Sequence, residues 1–420
     1  MRFLYGLLLW SLVPLVLLRL LWRSRRDADY RRRIGERFGF LRDRPQGPVL
    51  WVHAVSVGEV IAAGPLVRAL RERFPGHALV VTTTTPTGAR QLARMFAGEV
   101  RQAWLPFDLP GAARRFLRRL RPDAGVVMET EVWPNLYRAC RRAGVPVVLA
   151  NARLSASSAR GYRRLRRLAA PALEDLAAVA ARDESDAERF RAIAPRARIE
   201  IVGNLKFDFA PDAAQVSEGR GLRHLLGVAR PVWIAASTHA GEDEIVLAAH
   251  ERLRWARPDV ALILVPRHPE RFEDVARLCR ERGFTTVRRS EGAGGDDATA
   301  VLLGDTMGEL MRLYAAADVA FVGGSLVPTG GHNPLEPAAL GLPVLTGPHR
   351  FNFEQVFAAL FAAGGAVEVS DAATLEASVE WLLGDPSERE RRGTAARGVV
   401  EAGRGATGRI VDLVAGRLGP

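Results

Sequence analysis

Two successive series of short apolar segments constrain the fold of this chain more than any other feature. Each segment is nearly continuous in apolar residues and is followed by a stretch with helical spacing. The first series comprises residues 48–55, 78–85, 123–129, 145–150 and 177–181, and the second comprises 231–237, 260–265, 301–305, 318–324 and 342–347. Buried strands of parallel sheets have this pattern. The sequence therefore predicts an α/β protein with two doubly wound domains.

The N-terminal segment 3–22 is almost wholly apolar, and Arg19 is its only charged residue. It is long enough to span a bilayer, and six arginines follow between positions 23 and 33. Arginines next to an apolar span favour the cytoplasmic side of a membrane. We therefore predict a single membrane anchor over 1–24, spanning or monotopic, with the rest of the chain in the cytoplasm. A cleaved signal peptide is disfavoured because its positive charges would precede the apolar run.

The chain of 420 residues exceeds one ordinary core. We assign 25–205 to an N-terminal domain, 206–230 to a polar linker or hinge, and 231–420 to a C-terminal domain whose last helix is a candidate to return to the N-terminal domain. The net charge of +12 predicts a basic face that meets an anionic membrane or a phosphorylated substrate. No strip of interleaved basic and aromatic residues supports nucleic-acid binding. Cys140 and Cys279 form no CxxC or Cys/His cluster, which disfavours zinc.

Ligands of open α/β sheets bind at the carboxyl ends of the strands, so the residues that follow each strand are candidates for a site. Ser56-x-x-Glu59 has the spacing of a helix capping box, and Glu59 is alternatively a general base. Glu129 and Glu131 are paired carboxylates after the third predicted strand, and Arg153 follows the fourth. We expect the paired carboxylates to act on a substrate.

Lys206 is the only lysine among the 59 basic residues of the chain. Its ammonium is a compact point charge, which an arginine does not replace where an anion must approach closely. We therefore predict that Lys206 contacts a carboxylate or a phosphate. Chance survival of one lysine is the alternative.

In the second half, small residues and arginines follow the strands. Ser237 and Thr238 begin a helix whose free N–H groups suit phosphate, and Arg267 suits a bidentate phosphate contact. Thr306-x-x-Glu309 is a second capping-box spacing, and Asn333-Pro334-Leu335-Glu336 predicts a related cap with proline at the first helical position. Glu336 is either part of that cap or an acceptor for two ribose hydroxyls. Neither GxGxxG nor GxxxxGK[ST] occurs, so a dinucleotide fingerprint and a P-loop are unsupported.

Many long motifs occur in one order from the anchor almost to the C-terminus. They are RRIGERFGF, WVHAVSVGEV, TTTTPTG, LPFDLP, METEVWPNL, NARLS, GNLKFD, ASTHAGEDE, VPRHPERF, GDTMGEL and VGGSLVPTGGHNPLEPAALGLPVLTGPH. In these motifs the chain resembles the 3-deoxy-D-manno-octulosonic acid (Kdo) transferases of lipopolysaccharide synthesis. The set is highly specific, unlike a lone glycine pattern.

The resemblance implies a GT-B fold, in which two Rossmann-like domains face each other across a cleft. It implies an inverting, metal-independent transfer of Kdo from CMP-Kdo to a lipid A precursor, lipid IVA, with no cofactor. It implies that Glu59 is the proton acceptor and that Glu129 and Lys206 stabilise the transition state. The positions that match CMP-binding residues of the family are Pro266, Arg267, Met307, Gly308, Glu309, Asn333, Pro334, Leu335 and Glu336. Further predicted substrate contacts are Ser56, Gly58, Arg153, Ser237, Thr238, His239, Gly330 and Gly331.

The implied partners are CMP-Kdo, a phosphorylated lipid A precursor and the anionic surface of the inner membrane, with no nucleic acid and no metal. Arg31, Arg32, Arg33 and Arg37 are candidate contacts to the lipid. Two alternatives stay open. One is another membrane-associated GT-B enzyme that uses a different nucleotide sugar, and the other is a non-catalytic, membrane-bound nucleotide-binding protein.

Overall fold

The computed structural model describes residues 1–43, 45–292 and 294–418. The chain divides into two compact units. Unit 1 comprises Met1–Asp208 together with the C-terminal segment that begins at Arg404, and unit 2 comprises Phe209–Gly403. Each unit is built around one seven-stranded sheet.

The sheet of unit 1 is parallel throughout, and its strand order is β3-β2-β1-β4-β5-β6-β7. Its strands are β1 (Val49–His53), β2 (Ala78–Thr83), β3 (Arg101–Trp104), β4 (Ala124–Met128), β5 (Val147–Ala152), β6 (Ala178–Ala181) and β7 (Ile199–Ile201). The chain winds outward in one direction from β1 to β3 and in the other from β4 to β7. The direction of winding therefore reverses between β1 and β4, where ligands of such sheets bind.

The sheet of unit 2 is also parallel, with the strand order β10-β11-β9-β8-β12-β13-β14. Its strands are β8 (Val232–Thr238), β9 (Ala261–Pro266), β10 (Thr286–Arg288), β11 (Val301–Leu303), β12 (Val319–Val322), β13 (Val344–Thr346) and β14 (Ala366–Glu368). Here the direction of winding reverses between β8 and β12.

Helices cover both faces of each sheet. The first eight helices, all in unit 1, are α1 (Arg2–Arg23), α2 (Val57–Arg73), α3 (Pro86–Phe96), α4 (Pro110–Leu120), α5 (Pro134–Arg142), α6 (Ala156–Arg164), α7 (Arg166–Glu174) and α8 (Glu184–Ile193). Those of unit 2 are α9 (Ala213–Leu226), α10 (Glu242–Ala256), α11 (Phe272–Glu281), α12 (Leu310–Ala315), α13 (Leu335–Ala339), α14 (Glu354–Ala363), α15 (Ala372–Gly384) and α16 (Pro386–Gly403). The last helix is α17 (Ala406–Leu418). On the sheet of unit 1, Phe116 and Tyr137 lie in the core of one face, and Leu66 and Phe96 lie in the core of the other.

The segment that the sequence suggested as a linker, 206–230, is largely structured. Residues 213–226 form α9, and Leu222 and Leu226 are buried in the core of unit 2. Gly219 lies so close to α12 that a Cβ there would overlap the carbonyl oxygen of Arg312. The units instead divide between Asp208 and Phe209. The polar composition of the segment concealed the two leucines on one face of α9.

The C-terminal helix α17 lies in unit 1, where Ile410 and Val414 join the core beside α2. The return of the last helix, which the sequence left open, therefore occurs in this structure. Arg409 of α17 donates to the carbonyl oxygen of Val202 at 2.8 Å, which fixes the helix beside β7.

Helix α1 is the one helix of the described chain that is long and apolar enough to cross a membrane, judged by length and composition. Most of its large apolar side chains are exposed. The start of α1 contacts the rest of unit 1, since Arg2 pairs with Asp175 at 2.8 Å and Gly6 lies against Pro110. An exposed apolar surface of this size marks a site of membrane or protein interaction.

Candidate functional site

The predicted catalytic residues of unit 1 follow strands at the carboxyl edge of its sheet. Glu59 lies in the first turn of α2, after β1, and Glu129 directly follows β4. Strands β1 and β4 are neighbours, so these two carboxylates flank the position where the direction of winding reverses. Lys206 lies in the 3-10 turn Leu205–Phe207 after β7.

The Glu59 carboxylate accepts a hydrogen bond from the Val55 backbone N–H at 2.8 Å, and the Ser56 hydroxyl lies 3.5 Å from its other oxygen. Ser56 is the N-cap of α2, but its side chain makes no capping bond. The predicted capping box therefore does not form, because Glu59 accepts from Val55 and not from the N–H of the N-cap residue Ser56. A Cβ on Gly58 would meet only the Ser56 oxygen, at 4.0 Å, so the surface at Gly58 is open.

Burial raises the pKa of Glu59 to about 7, and the charges of Glu129 and Glu131 add to the rise. The Val55 N–H and the Ser56 hydroxyl oppose it. A carboxyl group with a pKa near the working pH is both ionised often enough and basic enough to accept a proton in a reaction. The environment of Glu59 therefore suits a general base better than a helix cap.

Glu129 holds a left-handed backbone conformation, with φ +58°, that few residues other than glycine adopt. Its N–H donates to the carbonyl oxygen of Ala150 at 2.9 Å. Strained conformations of this kind concentrate at functional sites. The conformation turns the chain sharply at the end of β4 and keeps the Glu129 carboxylate within electrostatic reach of both Glu59 and Lys206.

Burial lowers the pKa of Lys206, and the charges of Arg153 and Arg182 lower it further, whereas Glu129 raises it. Glu129, Arg153 and Lys206 therefore share one electrostatic environment. The Arg153 loop is held beside Glu129 because the Thr130 hydroxyl donates to the Arg153 carbonyl oxygen at 2.6 Å. The structure thus brings together four residues that the sequence singled out, namely Glu59, Glu129, Arg153 and Lys206.

The turn that carries Lys206 is held by asparagines. Asn151 is buried in a left-handed conformation with φ +53°, and its side-chain oxygen accepts from the Leu205 N–H at 3.2 Å. Asn204 accepts from the Lys206 N–H at 3.1 Å. Asn151 therefore positions Lys206 from the neighbouring end of β5. Only the NARLS motif marked this residue in the sequence.

In unit 2 the predicted residues follow β8, β9, β11 and β12. Ser237 and Thr238 end β8, and Ser237 has φ +60°. The Thr238 hydroxyl donates to Asp243 at 2.6 Å, and the Thr238 carbonyl oxygen accepts from the Arg267 N–H at 3.0 Å. Thr238 is fully buried and its hydroxyl is engaged within the fold. The hydroxyl is therefore not exposed to a ligand in this structure, whereas the carbonyl oxygen holds the backbone of Arg267. The predicted substrate contact of Thr238 stays a prediction.

Glu242 was not singled out in the sequence, yet it organises this region. Its fully buried carboxylate accepts from the backbone N–H groups of His239, Gly324, Ser325 and Leu326 at 2.9, 2.6, 2.9 and 2.8 Å. A carboxylate with four such donors is well compensated for its burial. Glu242 therefore ties the loop after β12 to the start of α10.

The glycines of that loop serve its packing. Gly330 has φ +101°, and a Cβ there would meet Phe351 at 2.5 Å and Asn352 at 2.6 Å. Gly331 has φ +74°, and a Cβ would approach the His349 carbonyl oxygen at 3.2 Å. The loop thus requires glycine at both positions without any ligand. Their predicted contact with a substrate stays a prediction.

Two histidines meet where the ends of β8 and β12 approach each other. The Nε2 atoms of His239 and His332 are 2.8 Å apart, and His268 lies edge-on to His239 at 5.1 Å between ring centroids. Burial lowers the pKa of His332 to about 4, and His239 and Arg267 contribute to the shift. Burial also lowers the pKa of His239. The pair is therefore neutral at physiological pH, with one ring donating to the other.

Glu336 lies in α13, and burial raises the pKa of its carboxyl while Asn333 and Arg267 oppose the rise. Asn333 donates to Glu336 at 3.1 Å and accepts from the Leu335 N–H at 3.1 Å. The Asn333 side chain thus satisfies the first N–H of α13, while the N-cap residue itself is Pro334. Pro334 precedes the first helical residue, Leu335, one position earlier than predicted.

Pro266 ends β9 and pairs with Thr238, which places Arg267 at the same sheet edge.

Met307, Gly308 and Glu309 follow β11. Met307 is exposed, and Gly308 has φ +88° with no atom near the position of a Cβ. Glu309 accepts from the Thr306 hydroxyl and pairs with Arg289 and Arg312. These partners outweigh burial and lower the pKa of Glu309. Glu309 therefore fixes the start of α12, and Met307 is the side chain that is open to a ligand.

The four arginines predicted to contact lipid divide into two pairs. Arg31 and Arg32 are exposed. Arg37 is buried, donates to the Thr84 carbonyl oxygen at 3.0 Å and stacks over Trp104 at 4.6 Å. Arg33 donates to the Gln102 carbonyl oxygen at 3.1 Å. Arg37 is therefore wrong as a surface contact to lipid.

Within the described residues no group of three or more His, Cys, Asp or Glu is placed to hold a metal ion.

Comparison with known proteins decides the family. The family profile described as 3-deoxy-D-manno-octulosonic-acid transferase (kdotransferase) matches residues 32–209, and that of glycosyl transferases group 1 matches residues 230–399. The 3-deoxy-D-manno-octulosonic acid transferase of Haemophilus influenzae is 43% identical over 419 residues, which cover 98% of each chain. The chain belongs to the Kdo transferase family. The corresponding transferase of Bordetella pertussis is 42% identical over 435 residues and the full length of both chains.

A solved structure with the same architecture is the UDP-GlcNAc 2-epimerase from Neisseria meningitidis bound to UDP-GlcNAc. It has a TM-score of 0.60, covers 88% of this chain and 100% of its own, and is 15% identical. At that identity the likeness concerns the fold alone. The predicted GT-B fold class and the predicted Kdo transferase family are confirmed.

Proposed function

We propose that this Kdo transferase moves Kdo from CMP-Kdo to a phosphorylated lipid A precursor, lipid IVA, with inversion at the anomeric carbon and without a metal. The single observation that carries the proposal is the environment of Glu59. Its carboxyl has a pKa of about 7 because of burial and of its acidic neighbours, and it follows β1 at the edge of the sheet where the direction of winding reverses between β1 and β4. Membership of the Kdo transferase family supports Kdo as the transferred sugar. The environment of Glu59 supports a displacement assisted by a general base.

The proposed reaction is a single displacement. A hydroxyl oxygen of the acceptor forms a bond to the anomeric carbon of Kdo while the bond from that carbon to the phosphate oxygen of CMP breaks. The hydroxyl proton passes to Glu59, and the bonding electron pair leaves with CMP. Attack opposite the departing phosphate inverts the configuration. No cofactor takes part, and Glu59 is the base that the displacement requires.

Negative charge develops on the phosphate of the departing CMP during the displacement, and positive groups of the protein stabilise it. Lys206 is the ammonium next to Glu129, and we propose that this pair stabilises the transition state. The backbone N–H of Arg267 donates to the Thr238 carbonyl oxygen, which holds Arg267 in place. Its side chain suits the phosphate of CMP because a guanidinium can donate two parallel hydrogen bonds. The neutral pair His239 and His332 offers polar groups beside it without adding charge.

Glu336 is the proposed acceptor for the ribose hydroxyls of CMP. Its carboxyl is largely buried and keeps an oxygen near Asn333 and within the field of Arg267. We propose that Pro266, Met307, Gly308, Glu309 and the segment 333–335 complete the nucleotide site. Ser56, Gly58, Arg153, Ser237 and His239 are proposed as further contacts to the two substrates.

The exposed apolar helix α1 supports a place at the cytoplasmic face of the inner membrane. A lipid acceptor is then available in the same plane as the enzyme. Arg31 and Arg32 remain exposed beyond α1 and suit an anionic surface. Nucleic acid is not a proposed partner.

Thermal unfolding of the full chain in detergent tests the nucleotide assignment. CMP and CTP should raise the midpoint of unit 2, and UDP at the same concentration should not. Glu336→Gln should lose the shift, whereas Glu59→Gln should keep it and lose transfer. A shift with UDP instead of CMP would favour a GT-B enzyme with a different nucleotide sugar. A CMP shift without turnover of CMP-Kdo would favour a non-catalytic nucleotide-binding protein.

A further inference from the structure

A large cavity lies in unit 1 beside the start of the apolar helix α1. Its volume is about 1280 Å³, and its walls come from α4, α5 and the first residues of α1. Seven arginines line it, and Asp123 is the one acidic residue of its wall. We call it the arginine cavity. The predicted catalytic residues Glu59, Glu129 and Lys206 are not among its lining residues.

The charge of the arginine cavity is only partly neutralised. Asp175 pairs with Arg2 at 2.8 Å and with Arg138 at 3.3 Å. In the part of the chain that the structure describes, Arg118 and Arg142 have no ion-pair partner. The same holds for Arg114 and Arg121 in that part of the chain. Asp123 is already engaged, because its carboxylate accepts from the Val49 N–H at 2.7 Å.

Helix dipoles explain some of these arginines but not all. Arg118 and Arg142 lie in the last turns of α4 and α5, where a positive charge is favourable. Arg2, however, lies in the first turn of α1, where a positive charge is unfavourable. Its Nε atom is buried and has no hydrogen-bond partner among the described residues. An additional anion would satisfy this group.

The position of the cavity restricts the kind of anion. Phe3 lines the cavity and is 77% exposed, and the apolar surface of α1 continues from it. Gly6 lies against Pro110, another lining residue, so the start of α1 is fixed at the rim. A bilayer that covers α1 therefore reaches the mouth of the cavity. Arginine favours phosphate because its planar group donates two parallel hydrogen bonds.

We propose that the arginine cavity binds the phosphate-bearing headgroup of an anionic membrane phospholipid and thereby fixes unit 1 against the membrane. The exposed apolar surface of α1 that begins at Phe3 would contact the part of the acyl chains next to the headgroup. This proposal rests on the membrane placement of α1 that is part of the proposed function, but it concerns a separate set of residues and its test needs no transfer of Kdo, so the two can fail separately.

Native mass spectrometry of the full chain in detergent tests the proposal. The probe is an equimolar mixture of phosphatidylglycerol and phosphatidylcholine with the same acyl chains. We expect one phosphatidylglycerol to be retained per chain in preference to phosphatidylcholine. The double variant Arg118→Gln/Arg142→Gln should weaken this binding by about 5-fold per arginine and about 30-fold in total.

The matched control is Arg220→Gln/Arg252→Gln, which removes the same charge from exposed positions of unit 2. It should retain binding within about 2-fold of the parent, by the same charge argument. Equal loss in both double variants, or no loss in Arg118→Gln/Arg142→Gln, would overturn the proposal. Displacement of the lipid by about 10 mM inorganic phosphate would also overturn it, because the cavity would then be a site for soluble phosphate.

Discussion

Replacement of Glu59 by glutamine should make unit 1 more stable at alkaline pH while it abolishes transfer. Burial and the charges of Glu129 and Glu131 raise the pKa of Glu59 from an ordinary 4.5 to about 7. A raised carboxyl pKa means that the fold favours the protonated form. The protein is therefore most stable below the unfolded value and loses stability as the pH rises through about 7.

The magnitude follows from the same shift. Ionised Glu59 costs the fold ~3 kcal/mol at most, and partial exposure of the group reduces this to ~1–2 kcal/mol. Glutamine carries no charge at any pH, so Glu59→Gln should raise the free energy of unfolding of unit 1 by ~1–2 kcal/mol at pH 8.5 and by only a few tenths of that at about pH 5. A gain in stability with loss of activity is typical of a strained functional site.

The assay is urea-dependent hydrogen exchange of peptides from β1 and β4, which reports on unit 1 alone. The matched control is Glu72→Gln, which removes an exposed carboxylate from the same helix. It should change stability by less than about 0.5 kcal/mol at either pH. Destabilisation of unit 1 by Glu59→Gln at pH 8.5, or equal effects at both pH values, would refute this account and return Glu59 to a capping role.

Three further predictions follow from individual contacts. Lys206→Arg should lower kcat by about 100-fold while the melting temperature changes little, because the point charge and not the fold is altered; full activity would make the single lysine an accident. Glu336→Gln should weaken CMP binding by about 10- to 100-fold, measured by calorimetry, because a charged hydrogen-bond acceptor is lost; unchanged affinity would leave Glu336 with the cap of α13. An impermeant maleimide should label a cysteine added before Met1 and Ser24→Cys from the same side of oriented membranes, since Arg2 pairs with Asp175 and Asp27 with Arg90 near opposite ends of α1 on one unit; labelling of the N-terminal cysteine from the opposite side alone would show a spanning helix.

The interior of both sheets could be predicted from the sequence, whereas their edges could not. All ten predicted strands occur, and the four strands that were missed are β3, β7, β10 and β14. These are the outermost strands of the two sheets. Each has only three or four residues and includes a charged one, such as Arg101 or Glu368. Edge strands are kept short and charged to prevent further pairing, so the pattern of a buried strand is absent from them.

The candidate site was predictable where a strand end carries an unusual residue. The position of Glu59 after β1 and the single lysine, Lys206, could both be read from the sequence. The role of Glu242 could not, because most of its partners lie far along the chain. Glu242 binds backbone N–H groups of residues 324–326, and no local pattern encodes a contact across more than eighty residues.

The environment of Glu59 also needed the structure. The spacing Ser56-x-x-Glu59 fits a capping box, and only the tertiary fold shows that the carboxylate turns to Val55 and lies near Glu129. A pKa of about 7 arises from burial and from neighbours that sequence distance does not reveal.

The most direct test of the proposed transfer is the mass of the lipid product. The purified full chain is incubated with CMP-Kdo and lipid IVA, and Glu59→Gln serves as the control. We expect lipid that carries one or more Kdo residues with the parent chain and none with the variant. The ladder of masses would also give the number of residues added. Absence of product from a parent chain that binds CMP, or equal product from Glu59→Gln, would contradict the proposed transfer.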